Sequence, residues 1–422
     1  MATDTVTRTE IARRCGAVTA LASAAILVAG CSAPDEAVDP SPTQETGQPV
    51  ALAANVDDDA ADVTVDTVVT IEAEHGQVIS ATIVGRGPDG KDEVAGRVSG
   101  GSWIATQRLE PGTTYTIEAV GTGENGADQK LSSSFTTEQL ALSQQTYPAV
   151  APLEGETVGV GMPVIVSFDI PVENKALFER NMHVSVDDED VTGSWSWLSD
   201  RVVHYRPQHY WPAGTDVHVS LKVNGLPAGG GIYGQQDQEV DFAIGRKAVS
   251  VVDVAAHRLT YKVDGKAVRT IPVTTGDSTH RTRKGTKIIM EKFASVDMDA
   301  ASTGVDADAP DYYNIEGVKW AMRLTNSGEF LHAAPWSVGS QGVANVSHGC
   351  TGMSTANAGW LYHHSRRGDV VKFVNSPRGL EDNNGWTDWN TSWKAWREGS
   401  ALYRDDDEPA PNSDSTASST SA

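Results

Sequence analysis

The chain has 422 residues, too many for one ordinary domain, and a formal net charge of −23. With no Lys/Arg-rich patch, that charge excludes a nucleic-acid binder. Past the N-terminal region, no stretch approaches the ~18 apolar residues a membrane-spanning helix needs.

Residues 1–31 read as an export signal. Arg8, Arg13 and Arg14 are followed by a small, apolar run over 16–29 and then Val28-Ala29-Gly30-Cys31, a lipidation-type cleavage site. A lipid on Cys31 would anchor the mature chain at the cell membrane without spanning it, facing the cell wall. A plain secretory signal is the alternative. Residues 32–54, rich in Pro, Ala, Ser and Gln, read as a flexible tether.

Short alternating strands follow, bounded by Gly, Pro and Asp turns. Val65–Glu72, Gln77–Val84 and Thr113–Val120 belong to one run, over 55–140. Pro163–Phe168, His183–Val186, Val202–Arg206, Val217–Val223 and Val240–Ile244 belong to a second, over 141–246. Pro111-Gly112-Thr113 and Pro212-Ala213-Gly214-Thr215 precede equivalent strands, about 100 residues apart. The pattern predicts two tandem immunoglobulin-like sandwiches without an inter-sheet disulfide. They serve as a stalk or, alternatively, as a ligand-binding module.

At 247 the character changes. Residues 247–375 carry 15 basic and 12 acidic side chains, a net of +3 in an otherwise acidic chain. Val249–Val254, Leu259–Val263 and Lys266–Thr275 read as a β-meander. The polar segment Asp297–Pro310 reads as a lid-like loop. Val318–Leu324, Glu329–Leu331 and Asp369–Val374 are strands. Ser354–Arg366 is a helix, with Ser354 as N-cap and Gly368 beyond its end. The fold class is therefore mainly β, with one main helix in the third unit. In the extension 376–403, Trp389, Trp393 and Trp396 have the spacing of one helical face, with Trp386 nearby. That face packs on the third domain or, alternatively, stacks on carbohydrate. Residues 404–422 are acidic, then Ser/Thr-rich, and read as a disordered tail.

Three cysteines are present, and Cys15 lies inside the signal. With Cys31 lipidated, Cys350 is left as an unpaired thiol outside the cytoplasm, which marks a candidate reactive group. His348 lies two residues before it and His332 eighteen before it. Along a strand, His348 and Cys350 would share a face. The amides of Gly349 and Cys350 are candidate oxyanion donors, and Gly349 would admit substrate close to the backbone. Residue chemistry alone leaves three readings open: a nucleophile, an inert buried cysteine, or a zinc site made of His332, His348 and Cys350. No pair has a standard structural-zinc spacing.

His332, fourteen residues, then Ser347-His348-Gly349-Cys350 resembles the signature of the L,D-transpeptidase catalytic domain, also called the YkuD domain. The likeness extends over roughly residues 55–403, to the actinobacterial type with two immunoglobulin-like domains and a Trp-rich extension. This resemblance implies a peptidoglycan substrate, no cofactor and no metal. Cys350 would form a thioester with a tetrapeptide stem, and an amine of a second stem would complete a 3→3 cross-link. It implies His332 as general base, His348 in support and carbapenem β-lactams as inhibitors. Tyr312, Tyr313, Asn314, Ser327, Gly328 and Trp336 are candidate substrate contacts. The family pattern places Asn two residues after the cysteine; here that position is Gly352. Ala333 would orient the imidazole only through its carbonyl. An L,D-carboxypeptidase using water as acceptor, and a catalytically degenerate envelope spacer, are the alternatives.

Overall fold

A computed structural model describes residues 47–404, apart from 88, 89, 188, 310 and 311. The export signal, Cys15, Cys31, most of the tether and nearly all of the tail lie outside the described residues. The tether's last residues do not run free. Ala51–Ala54 is a strand antiparallel to Thr70–Glu74, drawn in because Leu52 and Ala54 pack against the apolar core there.

Alternation of apolar and polar side chains gives each strand one buried face. In the first sandwich a four-stranded sheet runs Ala51–Ala54, Thr70–Glu74, Ser102–Ala105, Gly96–Ser99. A five-stranded sheet runs Ala60–Val63, Asp128–Thr137, Thr114–Gly123, Gly76–Gly87, Gly90–Val94. Ile71 and Trp103 of one sheet meet Ile83, Tyr115, Ile117 and Phe135 of the other in a single core. The strand expected from Val65 begins at Thr70, because Thr64–Thr67 closes a turn instead.

The second sandwich pairs a four-stranded sheet (Pro148–Ala151, Val164–Phe168, Val202–Pro207, Gly193–Trp197) with a five-stranded one led by Thr157–Val158 and Gln238–Ile244. Its core is continuous with the third unit: Val158, Val160 and Met162 belong to the same apolar cluster as Ile288 and Val370. The second sandwich and the third unit are thus joined through buried apolar surface.

The third unit has two sheets. One runs Lys266–Pro272, Arg258–Val263, Ala248–Asp253, Val370–Val374, Gly285–Ile288. The other runs Glu291–Asp299, Asn314–Arg323, Phe330–Ala333, Thr351–Met353. The helix Thr355–His364 packs with both, its Ala358 and Leu361 in the shared core. Ser354 caps it, its Oγ accepting from Asn357 N at 3.3 Å. It ends two residues before the expected Arg366. The expected lid begins later than its composition predicts: Asp297–Asp299 continue a strand and Ala300–Thr303 form a 3₁₀ turn.

The tryptophans of the extension gather differently from the helical-face expectation. Trp389 lies in a 3₁₀ turn, and only Trp393 and Trp396 share the helix Trp393–Arg397. What assembles them is the buried Arg206 of the second sandwich, whose guanidinium lies 4.9, 5.3 and 4.7 Å from the ring centres of Trp389, Trp393 and Trp396. The extension therefore packs against the second sandwich. It also ties into the third unit, where Arg367 lies over Trp386.

Candidate active site

Cys350 is the only free cysteine among the described residues, and it is buried. It sits where the chain enters the strand Thr351–Met353, which runs parallel to Phe330–Ala333 with His332 opposite Gly352. The thiol donates to the carbonyl of Gly328 at 3.3 Å. Burial pushes its pKa up to about 12, opposed by the Phe330 backbone hydrogen bond; the nearby Glu329 carboxylate adds to the rise. The resting group is therefore the neutral thiol, and a base must take its proton during attack.

His332 is buried as well, and burial holds its pKa below the ordinary histidine value, keeping the ring neutral. Its Nδ1 lies 2.8 Å from the carbonyl of Ala333. A carbonyl only accepts, so Nδ1 carries the hydrogen and Nε2 carries the lone pair. Ala333 thus orients the imidazole through its backbone. Trp336 stacks on the ring with centroids 5.9 Å apart.

The segment Ser347–Cys350 departs from the sequence expectation. It bends instead of running as a strand, with Gly349 at φ +126°, a conformation that favours glycine. The Gly349 N–H donates to Ser347 Oγ at 3.1 Å, and that hydroxyl donates to the Cys350 carbonyl at 2.6 Å. The Gly349 amide is therefore engaged, and the oxyanion role expected of it is corrected. Gly349 Cα also faces Glu329 and His280, so its glycine serves the bend and not the approach of substrate.

Cys350, His332, His348, Tyr313, Trp336 and Gly352 do line one cavity, of about 350 Å³. The His348 ring lies between those of Tyr313, 5.0 Å away, and His280, 4.6 Å away. Four expected contacts lie outside this lining, Tyr312 among them. Asn314 is an exposed strand end paired with Asp299, outside the cavity lining. Ser327 is held by the extension, its N–H donating to Asn384 Oδ1 at 2.9 Å and its Oγ accepting from Asn384 Nδ2 at 2.9 Å. Gly328 meets the thiol and not the cavity. At Gly352, both backbone groups bond to Thr274 at 2.9 Å. A Cβ there would stand 2.8 Å from Ala334 Cβ and 3.1 Å from Thr274 Cγ2. These neighbours occupy the space an Asn side chain would need at its root.

Thr274, Met298 and Ile315 complete much of the lining, and sequence reading had not singled them out. Strand alternation alone does not tell which face of Glu291–Asp299 looks onto a cavity. Among the described residues, no group of His, Cys, Asp or Glu stands in an arrangement that would hold a metal.

With this geometry established, comparison with known proteins is direct. Residues 60–227 match the bacterial Ig domain, and residues 247–373 match the L,D-transpeptidase catalytic domain (YkuD). L,D-transpeptidase 2 of Mycobacterium tuberculosis is 36% identical over 353 residues, which cover 83% of this chain and 85% of that protein. L,D-transpeptidase 5 of the same species is 36% identical over 324 residues, 73% of this chain and 69% of that protein. The solved structure of LD transpeptidase LdtMt1 in complex with imipenem aligns with 55% of this chain and 99% of its own at 34% identity, with a TM-score of 0.48. The family matches define a YkuD catalytic unit preceded by a bacterial Ig-like region. The chain belongs to the L,D-transpeptidase family of acyltransferases.

Proposed function

We propose that this protein is a peptidoglycan L,D-transpeptidase that forms 3→3 cross-links through a Cys350 thioester. The observation that carries the reading is that Cys350 and His332 line one cavity, His332 being fixed by Ala333 in the tautomer that accepts a proton at Nε2.

Nε2 takes the thiol proton as sulfur attacks the carbonyl carbon between diaminopimelate and the terminal D-Ala of a tetrapeptide stem. The carbonyl π electrons move to oxygen, for which the Cys350 amide is the candidate donor. Collapse breaks the C–N bond, the proton on His332 passes to the leaving D-Ala amine, and a thioester remains. The side-chain amine of a second stem then attacks. The new amide forms, the C–S bond breaks, and the amine proton returns through His332 to sulfur. No ATP is needed, because one amide is exchanged for another. Met298, Ile315 and Tyr313 wall the cavity with largely apolar surface. Excluding water there favours the amine over hydrolysis.

The enzyme works outside the membrane in this reading, lipid-anchored at Cys31 and raised by the two sandwiches. The composition of residues 1–31 supports that placement. Carbapenems, whose strained amide presents the same carbonyl electrophile, acylate Cys350.

The test is product mass spectrometry with a defined disaccharide-tetrapeptide. Expected is a dimer that has lost one D-Ala, absent with Cys350→Ala. A tripeptide product without dimer assigns the protein as an L,D-carboxypeptidase. Unchanged dimer with Cys350→Ala overturns the mechanism.

A further inference from the structure

A buried charge cluster lies near the thiol, and none of its residues lines the cavity. Glu329, in the sequence between Gly328 and Phe330, is buried, and its two oxygens have different partners. Oε1 accepts from the Arg283 N–H at 3.0 Å and from Arg283 Nη1 at 3.1 Å. Oε2 accepts from Lys287 Nζ. The Lys287 side chain has no exposed surface, and its ammonium lies 3.8 Å from the ring centre of Phe373. Arg283 also pairs with Glu381 of the C-terminal extension.

An ammonium this deeply buried is costly, and an apolar residue would suit a purely structural position better. The cluster touches the acyl-transfer centre at three points. Gly328 supplies the carbonyl that meets the thiol, and Phe330 supplies a backbone hydrogen bond to it. Gly349 Cα is seated against Glu329, where an added Cβ would stand 3.7 Å from its Oε1.

We infer that Lys287 and Glu329 are positioning residues for Cys350: their ion pair fixes the Gly328–Phe330 backbone that seats the sulfur, and its oriented charges set the field in which the thiolate forms. This rests on Cys350 being the nucleophile. The charged and titratable groups around the sulfur are Lys287 and Arg283 from the Arg283–Ile288 segment, Glu329 just before the neighbouring strand and His332 on it, Arg323, Tyr313 and His348. Of the pair, the Lys287 charge favours the thiolate and the Glu329 charge opposes it. Removing each alone therefore moves thiol reactivity in opposite directions, which loss of packing would not do.

The test is the rate of Cys350 alkylation by iodoacetamide in the full chain between pH 6.5 and 10, read by intact mass, with circular dichroism as the fold check. Lys287→Met is expected to slow alkylation about tenfold at a given pH and Glu329→Gln to accelerate it by a similar factor. If either single variant fails to fold, Lys287→Met/Glu329→Gln removes the pair without stranding a buried charge. The double variant should alkylate within about threefold of wild type while losing tenfold or more in thioester formation with tetrapeptide. Equal effects of the two single variants, or full thioester formation by the folded double variant, overturn the inference. Failure of the wild type to form a thioester overturns the proposed function instead, and leaves the alkylation comparison standing.

Discussion

His332 donates its Nδ1 hydrogen to the carbonyl of Ala333, 2.8 Å away, on the next residue of the same strand. A side-chain orienter is replaced by backbone, so the tautomer is fixed by the strand's own geometry. Changes to the Ala333 side chain should therefore matter little, and loss of the imidazole should matter greatly. Ala333→Ser is expected to keep kcat/KM within about threefold, whereas His332→Gln lowers it about 10²–10⁴-fold. Product quantification by chromatography checks both, and a His332→Gln enzyme near wild-type rate would remove the base from the mechanism.

The pH profile follows from the same burial. Burial lowers the His332 pKa, so the neutral, proton-accepting ring persists to a pH below its ordinary value of 6.5. The acid limb of kcat/KM should lie below pH 6.5. Cys350 at about 12 places no alkaline limb near neutrality. An acid limb above 6.5 would mean that a different group titrates.

Gly352 is fitted to its neighbours. A side chain at 352 meets Ala334 and Thr274 inside contact distance, and such overpacking costs about 1–3 kcal/mol. Gly352→Asn is expected to lower stability by that amount and to slow acylation, not to improve it. Ala334→Gly, which removes the Cβ at 2.8 Å, should recover part of the loss. Chemical denaturation of the single and double variants reads this out; additive losses would show that the two sites do not touch.

Asp369 gives the fold a pH dependence. It is buried, and among the described residues its Oδ1 has no hydrogen-bond partner. Burial raises its pKa to about 7. An acid with a raised folded-state value binds its proton more tightly when folded. Its contribution is fully present below the unfolded value near 4 and is lost as pH rises through about 7. Asp369→Asn should therefore be more stable than wild type at pH 8, by about 2–4 kcal/mol, with the advantage vanishing at pH 4. Denaturant midpoints at the two pH values decide it; a variant equally or less stable at pH 8 would refute the assignment.

The chain's reading from sequence succeeded where local rules act. Strand alternation, the Ser354 cap and the spacing of His332 to Cys350 are all short-range or motif-borne. It failed where a distant residue decides. Three tryptophans with helical spacing are gathered by Arg206, 183 positions before the first of them, and not by one helix. Ser327 reads as a site residue because it flanks the His332 strand, yet Asn384 of the extension holds it. Lys287 is not singled out by the sequence, because nothing near it announces Glu329, 42 positions on. The Gly349 amide was assigned to an oxyanion because its partner, the Ser347 hydroxyl, is reached only when the chain bends at φ +126°.

The central claim is that Cys350 carries the acyl group. Its most direct measurement is peptide-mapping mass spectrometry of the full chain quenched in acid during turnover of a defined tetrapeptide stem. The account predicts an adduct of the stem lacking its terminal D-Ala, confined to the peptide holding Cys350 and absent from Cys350→Ala. An adduct on any other residue, or cross-linked product accumulating with Cys350 never modified, would contradict it.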